Sequence, residues 1–388
     1  MGVYSEYLDR LTGYPSIEGE RKKQLARIAE IRGRSIMTIA ADLSGRPDKA
    51  TAPLGIDYTD LLAVSDQIEG LSGPSIDIIL ETPGGFAERA EDLVRMIRNK
   101  FENVAFIVPG AAMSAGTIMV MSGDEILLEP NSSLGPIDAQ VQMVGKRFSA
   151  EAFLTGLEKI KQEVKKSGQL NRAYIPILQG ISPGEIQTCQ NAQDFSETLV
   201  KTWLAQWKFR TWETHSSTDR PVTRGEKRER ARDIAKALCK HSKWLTHSRS
   251  IKMADLVKMR LKITDYSLNS DLFDAIRRYY TLLRMTFETN IYKLFETPKT
   301  QIMRFVAIPV VPPAPTRSAD VAQIEIKCPR CTTLTLLQAN LGKRVPLEQG
   351  RMPFPGDNKF KCPNCGLETD LSSIRKQLEA QTKKQIAS

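Results

Sequence analysis

Short apolar runs alternate with amphipathic segments over the first 130 residues of the chain. Two segments, 57–71 and 86–101, repeat apolar residues at i, i+3 and i+4, which is typical of helices with one buried face. The runs between and around them have the length of buried strands and cover residues 34–43, 75–80, 103–109 and 125–129. Strands that alternate with helices predict βαβ units and a largely parallel sheet, and therefore an α/β fold.

The pattern changes after residue 149, from which helical spacing continues to about residue 295. Beyond it, a Pro-rich stretch predicts an extended linker. We therefore expect six segments: an N-terminal helical segment at 1–33, an α/β core at 34–170, a basic helical region at 171–304, the linker at 305–317, a small cysteine-containing module at 318–372 and a polar tail at 373–388.

Composition and charge limit the kind of protein. The chain has 41% hydrophobic and 26% charged residues, the proportions of a soluble globular protein. It has neither a long apolar run nor a signal-peptide pattern, so we expect a cytoplasmic protein with no membrane partner. Residues 201–260 contain sixteen Lys or Arg and six Asp or Glu, a surplus that equals the net charge of +10. This surplus is typical of a solvated helical face, or of a surface for nucleic acid or an acidic protein partner.

Four of the six cysteines form two Cys-x-x-Cys pairs near the C-terminal end, Cys328 with Cys331 and Cys362 with Cys365. In a cytoplasmic chain such pairs indicate metal binding rather than disulfides. Each pair forms a tight turn that directs two thiolates at one ion, as in zinc ribbons. Four thiolates leave no open coordination position, so the expected cofactor is a structural Zn²⁺. The ribbon is basic, which is compatible with a nucleic-acid or protein partner.

Two Gly-rich turns follow successive predicted strands, at 81–85 and 109–116. In a parallel sheet both turns emerge at the same edge, where sites commonly form. The second turn places Ser114 at the start of a predicted helix, beside free backbone N–H groups. Two N–H groups that converge near a hydroxyl form an oxyanion hole with a nucleophile, whereas a serine at such a position also serves as a simple helix cap. The residues alone leave both interpretations open.

The motifs LETPGG, PGAAMSAGT and NSSLGPID, in this order and spacing, resemble the Clp protease/crotonase superfamily. Within it they resemble the serine dehydrogenase proteinase family of ClpP-class serine peptidases, which is related to signal peptide peptidase A. The resemblance extends over about residues 34–295. It implies a spiral of βαβ units, a homo-oligomer and a serine peptidase that acts on peptide or protein substrates. It also makes Ser114 the nucleophile and assigns the oxyanion hole to the N–H groups of Gly85 and Ala115.

A nucleophilic serine needs a base, and the first candidate is a lysine. The region where ClpP carries its histidine base, 131–140, contains no His here. The signal-peptide-peptidase branch uses a Ser-Lys pair instead. On a helical projection Lys161 lies about 40° from Leu157, inside the apolar stripe of the helix at 150–166. We therefore expect Lys161 to be buried, with a lowered pKa, or else to extend to solvent from the helix edge or lie at an oligomer interface. Lys146 is a weaker alternative.

The second candidate base is His247, which matches the family's His-x-Arg element. Asp138 follows the nucleophile by 24 residues and is a candidate to orient the base. Each also has a purely structural interpretation. His247 would then make a cap or core hydrogen bond, and Asp138 would be a turn carboxylate that binds its own backbone.

Three functions are compatible with these observations. The first is a ClpP-like serine peptidase that forms an acyl-enzyme on Ser114 and acts as an oligomer. The alternative is a catalytically inactive oligomeric scaffold that binds nucleic acid or a protein through the basic region and the zinc ribbon. A crotonase-like acyl-CoA enzyme is the third, and Ser114 with a buried lysine speaks against it. The chain contains no GxxxxGK[ST] motif, so any unfolding of a substrate must come from another protein.

Overall fold

The computed structural model of the chain describes residues 2–11, 13–143, 145–215, 218–307 and 320–387. The chain divides into two compact units, Met1–Ala307 and Ile308–Ser388. Most of the linker predicted at 305–317 lies outside the described residues, which end at 307 before this gap. Among the described helices, none is long and apolar enough to cross a membrane.

The first unit contains twelve described helices and eleven described strands. The helices are α1 Val3–Arg10, α2 Tyr14–Arg32, α3 Asp60–Glu69, α4 Ala87–Lys100, α5 Ala115–Val120, α6 Ala150–Ser167, α7 Ile175–Gln179, α8 Pro183–Trp203, α9 Arg224–Cys239, α10 His241–Trp244, α11 Met253–Lys258 and α12 Ser270–Phe287. The strands are β1 Ser35–Ala41, β2 Ser75–Glu81, β3 Asn103–Val108, β4 Ala111–Ala112, β5 Glu125–Leu128, β6 Ser133–Leu134, β7 Gln140–Met143, β8 Lys146–Ser149, β9 Thr264–Asp265, β10 Ile291–Glu296 and β11 Gln301–Phe305.

A seven-stranded sheet forms the centre of this unit, in the order β11-β10-β1-β2-β3-β5-β9. The strands from β1 to β9 pair in parallel, while β10 and β11 are antiparallel additions at one edge. Six of the seven residues of β2 are buried, as expected of a strand that is covered on both faces. The mixed α/β fold predicted from the alternating pattern is confirmed.

Helices cover both faces of the sheet. One apolar cluster joins the sheet to α3, α4, α5, α8 and α9, through residues such as Val64, Leu93 and Ile234. The opposite cluster joins the sheet to α2 and α12, through residues such as Ile28 and Tyr279. The region predicted to be purely helical at 171–304 therefore contributes to both helical layers of the core.

The same region also supplies three strands of the central sheet, and here the helical prediction is wrong. β10 pairs with β1 from more than 240 residues away, with Thr38 opposite Glu296. Its sequence, IYKLFE, contains the β-branched and aromatic residues that favour strands. The segment is short, and a long-range partner rather than local periodicity determines its conformation.

The second unit is built around strands and ends in a helix. Its elements are β12 Val321–Lys327, β13 Leu334–Leu341, β14 Met352–Pro353, β15 Lys359–Lys361, β16 Glu368–Asp370, α13 Ser372–Thr382 and β17 Ile386–Ala387. The tail predicted to be separate at 373–388 is part of this unit. Ile374 and Leu378 pack against its core, and β17 pairs with β13. Such coverage is useful because a core this small has little other apolar surface to bury.

A fully buried ion pair joins α2 to β10. Arg21 and Glu296 have side chains with no exposed surface, and Arg21 Nε lies 2.8 Å from Glu296 Oε2. Arg21 also donates to Thr286 Oγ1 at 2.6 Å and to Gln301 Oε1 at 2.7 Å, while Tyr279 donates to Glu296. The two charges are therefore fully hydrogen-bonded, which is the condition under which a buried pair is tolerated.

We predict that Arg21→Ala lowers the free energy of unfolding by about 3–5 kcal/mol, because it leaves Glu296 charged, buried and unpaired. Arg27→Ala on the same helix is the matched control, since Arg27 pairs with Asp274 and both side chains are more than one third exposed. Arg27→Ala should lower the free energy of unfolding by less than about 1 kcal/mol. Urea denaturation followed by tryptophan fluorescence measures both, because all four tryptophans lie in the first unit. Equal costs would contradict the prediction.

Candidate functional site

The two Gly-rich turns lie against each other at the carboxyl edge of the sheet. The N–H of Thr82 donates to Ala111 O, and the N–H of Met113 donates to Thr82 O, both at 3.0 Å. This pairing brings Gly84 against Ser114. A Cβ atom at Gly84 would lie 2.6 Å from Ser114 Cβ, and the φ of Gly84 is +109°. Only glycine permits both this approach and this backbone conformation.

Ser114 occupies a strained turn between β4 and α5. Its φ is +49° and its ψ is −116°, a combination that non-glycine residues rarely adopt. Such strain persists where the surroundings impose it, commonly at functional sites. Ser114 Oγ makes no hydrogen bond to any residue that the structure describes, so it does not cap α5 through its side chain. Of the two interpretations that the sequence left open, the simple helix cap therefore does not apply.

Two backbone N–H groups beside Ser114 are also available. Ile56 holds the first turn on both sides, because its N–H donates to Gly84 O at 2.6 Å and its carbonyl accepts from Phe86 N–H at 3.0 Å. These bonds leave out the N–H of Gly85. Neither this N–H nor that of Ala115 has a hydrogen-bond acceptor within the described parts of the chain. Both groups are therefore positioned to bind an oxygen that carries negative charge.

Asp138 lies in the same region, with its carboxylate fully buried. Its Oδ1 lies 2.7 Å from His247 Nδ1, and its Oδ2 lies 2.8 Å from His241 Nδ1 and 2.9 Å from Gln140 Nε2. Burial alone would raise the pKa of Asp138. The hydrogen bond and charge of His247, with hydrogen bonds from His241 and Ser149, outweigh burial and lower this pKa below its usual value. The carboxylate is therefore ionised at neutral pH.

The ionised carboxylate fixes the tautomer of His247. A carboxylate only accepts hydrogen bonds, so His247 Nδ1 must carry its hydrogen toward Asp138. The lone pair of the neutral ring is then on Nε2, the atom that a general base needs. Backbone bonds hold the two segments together, since Ile137 N–H donates to Leu238 O and Leu134 exchanges two bonds with Ile251. The structure thus brings together His247 and Asp138, the two residues that the sequence analysis named as a candidate base and a candidate to orient it.

His241 is a site residue that the sequence did not reveal. Its Nδ1 is hydrogen-bonded to Oδ2 of Asp138, and its backbone N–H donates to the carboxylate of Glu151. The sequence signal was its position six residues before His247 in a polar segment, which does not by itself indicate a shared carboxylate. By occupying Oδ2, His241 and Gln140 prevent Asp138 from rotating away from His247.

One cavity of about 870 Å³ connects these groups. Ser114, Asp138 and His247 line it, as do Gly85 and Ala115. Its walls include the apolar side chains of Ile118 in α5, Phe195 in α8 and Ile137 in the loop between β6 and β7. Among the described residues, no hydrogen bond joins Ser114 to His247, and such bonds commonly tighten only when substrate binds.

The structure does not bring Lys161 to this cavity. Its side chain is 63% exposed and pairs with Glu158 at 3.4 Å, so the predicted burial of Lys161 is wrong. The apolar stripe of α6 explains the error, because Leu157 and its neighbours are only half-buried and Ala150 is the one fully buried residue of the helix. Lys161 instead lines a separate groove of about 530 Å³ between α6 and α8. Lys146 is exposed on β8.

The second unit brings its four predicted cysteines together. All four Sγ atoms lie within 4.8 Å of one another, with Cys328 and Cys365 at 3.5 Å and Cys331 and Cys362 at 3.6 Å. A tetrahedral Zn²⁺ with Zn–S bonds of about 2.3 Å separates its sulfurs by about 3.8 Å. The backbone of each pair turns in the same way, with Thr332 N–H bonded to Cys328 O and Gly366 N–H bonded to Cys362 O. This donor set fits a metal ion.

Comparisons with known proteins agree with this site. Residues 64–174 match the family of ClpP-like SDH-type serine proteinases. This match includes Gly85, Ser114, Ala115 and Asp138, and confirms the family resemblance seen in the sequence motifs. His247 and the second unit lie beyond the matched residues.

Two uncharacterised proteins of Methanocaldococcus jannaschii are also similar to this chain. One is 32% identical over 117 residues, which cover 28% of this chain and 40% of the relative. The other is 27% identical over 135 residues, which cover 33% of this chain and 46% of the relative. The chain therefore spans less than half the length of these curated relatives.

Two solved structures of proteases are similar as well. ClpP1 from Listeria monocytogenes is 12% identical, with a TM-score of 0.32, and the match covers 63% of this chain and 94% of that one. A serine-to-alanine mutant of the 1510-N membrane-bound stomatin-specific protease is 21% identical, with a TM-score of 0.20. This match covers 36% of the present chain and 61% of the protease chain.

We predict that nitrogen NMR, recorded at a pH where the imidazole rings are neutral, shows His241 and His247 with hydrogen on Nδ1 and a bare Nε2, because both donate to the ionised Asp138. The chain has only three histidines, so the spectrum is easily assigned. Asp138→Asn should alter the tautomers of both rings at once. His215, which lies against Glu226, is the internal control and should not change. Hydrogen on Nε2 of His247 in the unmodified protein would contradict the prediction.

Proposed function

We propose that the protein is a serine peptidase that hydrolyses peptide or protein substrates through an acyl-enzyme on Ser114. The proposal rests on one cavity that is lined by all the groups the reaction needs. They are the strained Ser114, the N–H groups of Gly85 and Ala115, which have no acceptor among the described residues, and His247, which the buried Asp138 orients. His247 takes the place of Lys161 as the proposed base. The pair Lys161 and Glu158 lies on the solvent side of α6, and Lys161 does not line the cavity that contains Ser114.

The reaction proceeds in two halves. Ser114 Oγ attacks the peptide carbonyl carbon while its proton moves to His247 Nε2, and Asp138 stabilises the resulting imidazolium. The C–N bond then breaks, and the leaving amine takes the proton from His247. In the second half, water attacks the acyl carbonyl carbon while its proton moves to His247. The bond between this carbon and Ser114 Oγ then breaks, Oγ takes the proton back from His247, and the carboxylic acid leaves. No proton has to pass to Asp138, because its lowered pKa keeps it ionised.

The N–H groups of Gly85 and Ala115 are proposed to hold the oxyanion of each tetrahedral intermediate. Their bonds are not made to other described parts of the chain, so no internal bond has to break when charge develops. Such preorganisation contributes about 3 kcal/mol for each donor in comparable sites. The close approach of Gly84 to Ser114 keeps both donors next to the nucleophile.

We further propose that the peptidase acts as a homo-oligomer in the cytoplasm. The support is apolar surface that one copy leaves uncovered. The stripe of α6, including Phe153, Leu157 and Val164, is only half-buried, and Ile175 and Ile177 in the following helix are exposed. Contiguous apolar surface of this kind is typical of interfaces between proteins. The family resemblance also implies an oligomer.

We predict that a fluorophosphonate probe labels the protein once, as measured by intact mass, and that Ser114→Ala abolishes labelling. His247→Ala should slow labelling by about a thousandfold, because the serine loses its base. Lys161→Ala, which removes an exposed side chain, should leave the rate unchanged. A fluorogenic peptide library then measures hydrolysis directly.

The outcomes separate the interpretations. Loss of labelling in Lys161→Ala with retention in His247→Ala would restore the Ser-Lys assignment. No labelling of the unsubstituted protein would favour the inactive scaffold. Tryptophan fluorescence checks that His247→Ala still folds, since the substitution leaves the buried Asp138 with one imidazole fewer.

We also propose that Cys328, Cys331, Cys362 and Cys365 hold one structural Zn²⁺. The ion would link the two turns that carry the cysteine pairs, and four protein ligands would leave it no position for substrate. A small core such as that of the second unit commonly needs the free energy of metal binding to fold.

We predict one zinc ion per chain by metal analysis, and loss of that ion in Cys362→Ser. Chelation should unfold the second unit while the fluorescence of the tryptophans, which all lie in the first unit, stays unchanged. Cys189→Ser is the control, because Cys189 is buried in the first unit and far along the chain from the cluster. Full zinc content in Cys362→Ser would contradict the assignment.

A further inference from the structure

A ridge of five basic side chains follows helix α9. Every fourth residue from the start of the helix is Lys or Arg, and all are exposed. The set comprises Arg224, Arg228, Arg232, Lys236 and Lys240, which we call the basic ridge. Residues at i and i+4 are neighbours on a helix surface, so the side chains form a continuous row about 24 Å long along the helix axis that turns by about 40° at each step, with Lys240 directly after the last residue of α9.

The charges of the basic ridge are not neutralised by the protein itself. The structure gives none of its five side chains an ion pair or a hydrogen bond within the described residues. Two exposed acidic residues, Glu229 and Asp233, lie between them and also lack partners in the described chain. By contrast, the carboxylate of Glu226 on the same helix already has partners. It takes part in the capping box at the start of α9 and contacts Arg220 and His215. Positive charge therefore exceeds negative charge along the ridge.

The basic ridge ends at the proposed active site. Leu238, in the last turn of α9, accepts a hydrogen bond from Ile137, the neighbour of Asp138. Lys240 immediately precedes His241, whose ring binds Asp138. A chain bound along the ridge would thus arrive beside the cavity that contains Ser114.

We infer that the basic ridge is a docking surface for an acidic segment of a protein substrate, and this inference rests on the proposed peptidase function. Charge complementarity requires an anionic partner. An extended segment of about seven residues, at about 3.4 Å each, has the length of the ridge. A protein segment fits better than single-stranded nucleic acid, because no aromatic ring in the described part of 201–260 is exposed to stack on bases.

The test uses the full-length Ser114→Ala protein, so that binding is measured without cleavage. The probe is a fluorescent peptide with a run of about seven glutamates, the ridge's extended length, and its glutamine counterpart is the control ligand. Fluorescence anisotropy should show binding of the glutamate peptide alone. The affinity should fall as salt rises, because exposed charges are screened.

Charge reversal locates the surface. Arg228→Glu, Arg232→Glu and Lys236→Glu together should weaken binding at least about tenfold, since attraction becomes repulsion. The matched control is Lys159→Glu, Lys165→Glu and Lys166→Glu, the same charge change on exposed positions of α6. It should change the affinity by less than about twofold at moderate salt. All six positions are exposed, and denaturation followed by fluorescence checks that both variants fold.

Several results would overturn the inference. These are no binding of the glutamate peptide, equal weakening by both triple variants, or an oligonucleotide of equal charge that displaces the peptide at lower concentration. The last result would make nucleic acid the partner. Peptide binding in a protein that no fluorophosphonate labels would refute the peptidase and leave the basic ridge as a docking surface for acidic segments. Fluorophosphonate labelling without peptide binding would refute the docking surface and leave the proposed peptidase.

Discussion

The contact between two backbone turns is the constraint on which the site depends. The paired hydrogen bonds between Thr82 and residues 111–113 hold the ends of β2 and β3 together. They leave so little space that position 84 has to be glycine, and they impose an unfavourable conformation on Ser114. Gly85, Ser114 and Ala115 then line one cavity. The sheet behind them is buried on both faces, which gives this arrangement a rigid base.

Half of the site was predictable from the sequence because it is encoded locally. Ser114, Gly85 and Ala115 lie in turns whose small residues indicate a close approach, and the four cysteines indicate a metal through their spacing alone. The proposed base was not predictable in this way, because His247 was a candidate only through the family's His-x-Arg element. The apolar stripe of α6 indicated a buried lysine, but that stripe remains half-exposed in a single copy. Helical periodicity shows which residues share a face, and it does not show what covers that face.

The fold was predictable to a similar degree. The parallel strands β1, β2, β3 and β5 were recognisable as apolar runs, whereas β9, β10 and β11 were not. β10 depends on β1, which lies at the other end of the unit, and β11 depends in turn on β10. His247 belongs to the same class of feature, since its orientation depends on a carboxylate more than 100 residues earlier. Contacts between distant parts of a chain are those that local patterns describe least well. The buried pair of Arg21 and Glu296 is a further example, joining the second helix to a late strand.

The separation of these parts along the chain gives the site an order of assembly during synthesis. A ribosome releases the N-terminal region first, so Ser114 and its turns emerge long before His247. The edge of β1 then stays unpaired until β10 and β11 follow. A growing chain thus carries Ser114 without His247, on a sheet that is not yet complete. Under the proposed mechanism, Ser114 stays unreactive until most of the first unit has left the ribosome.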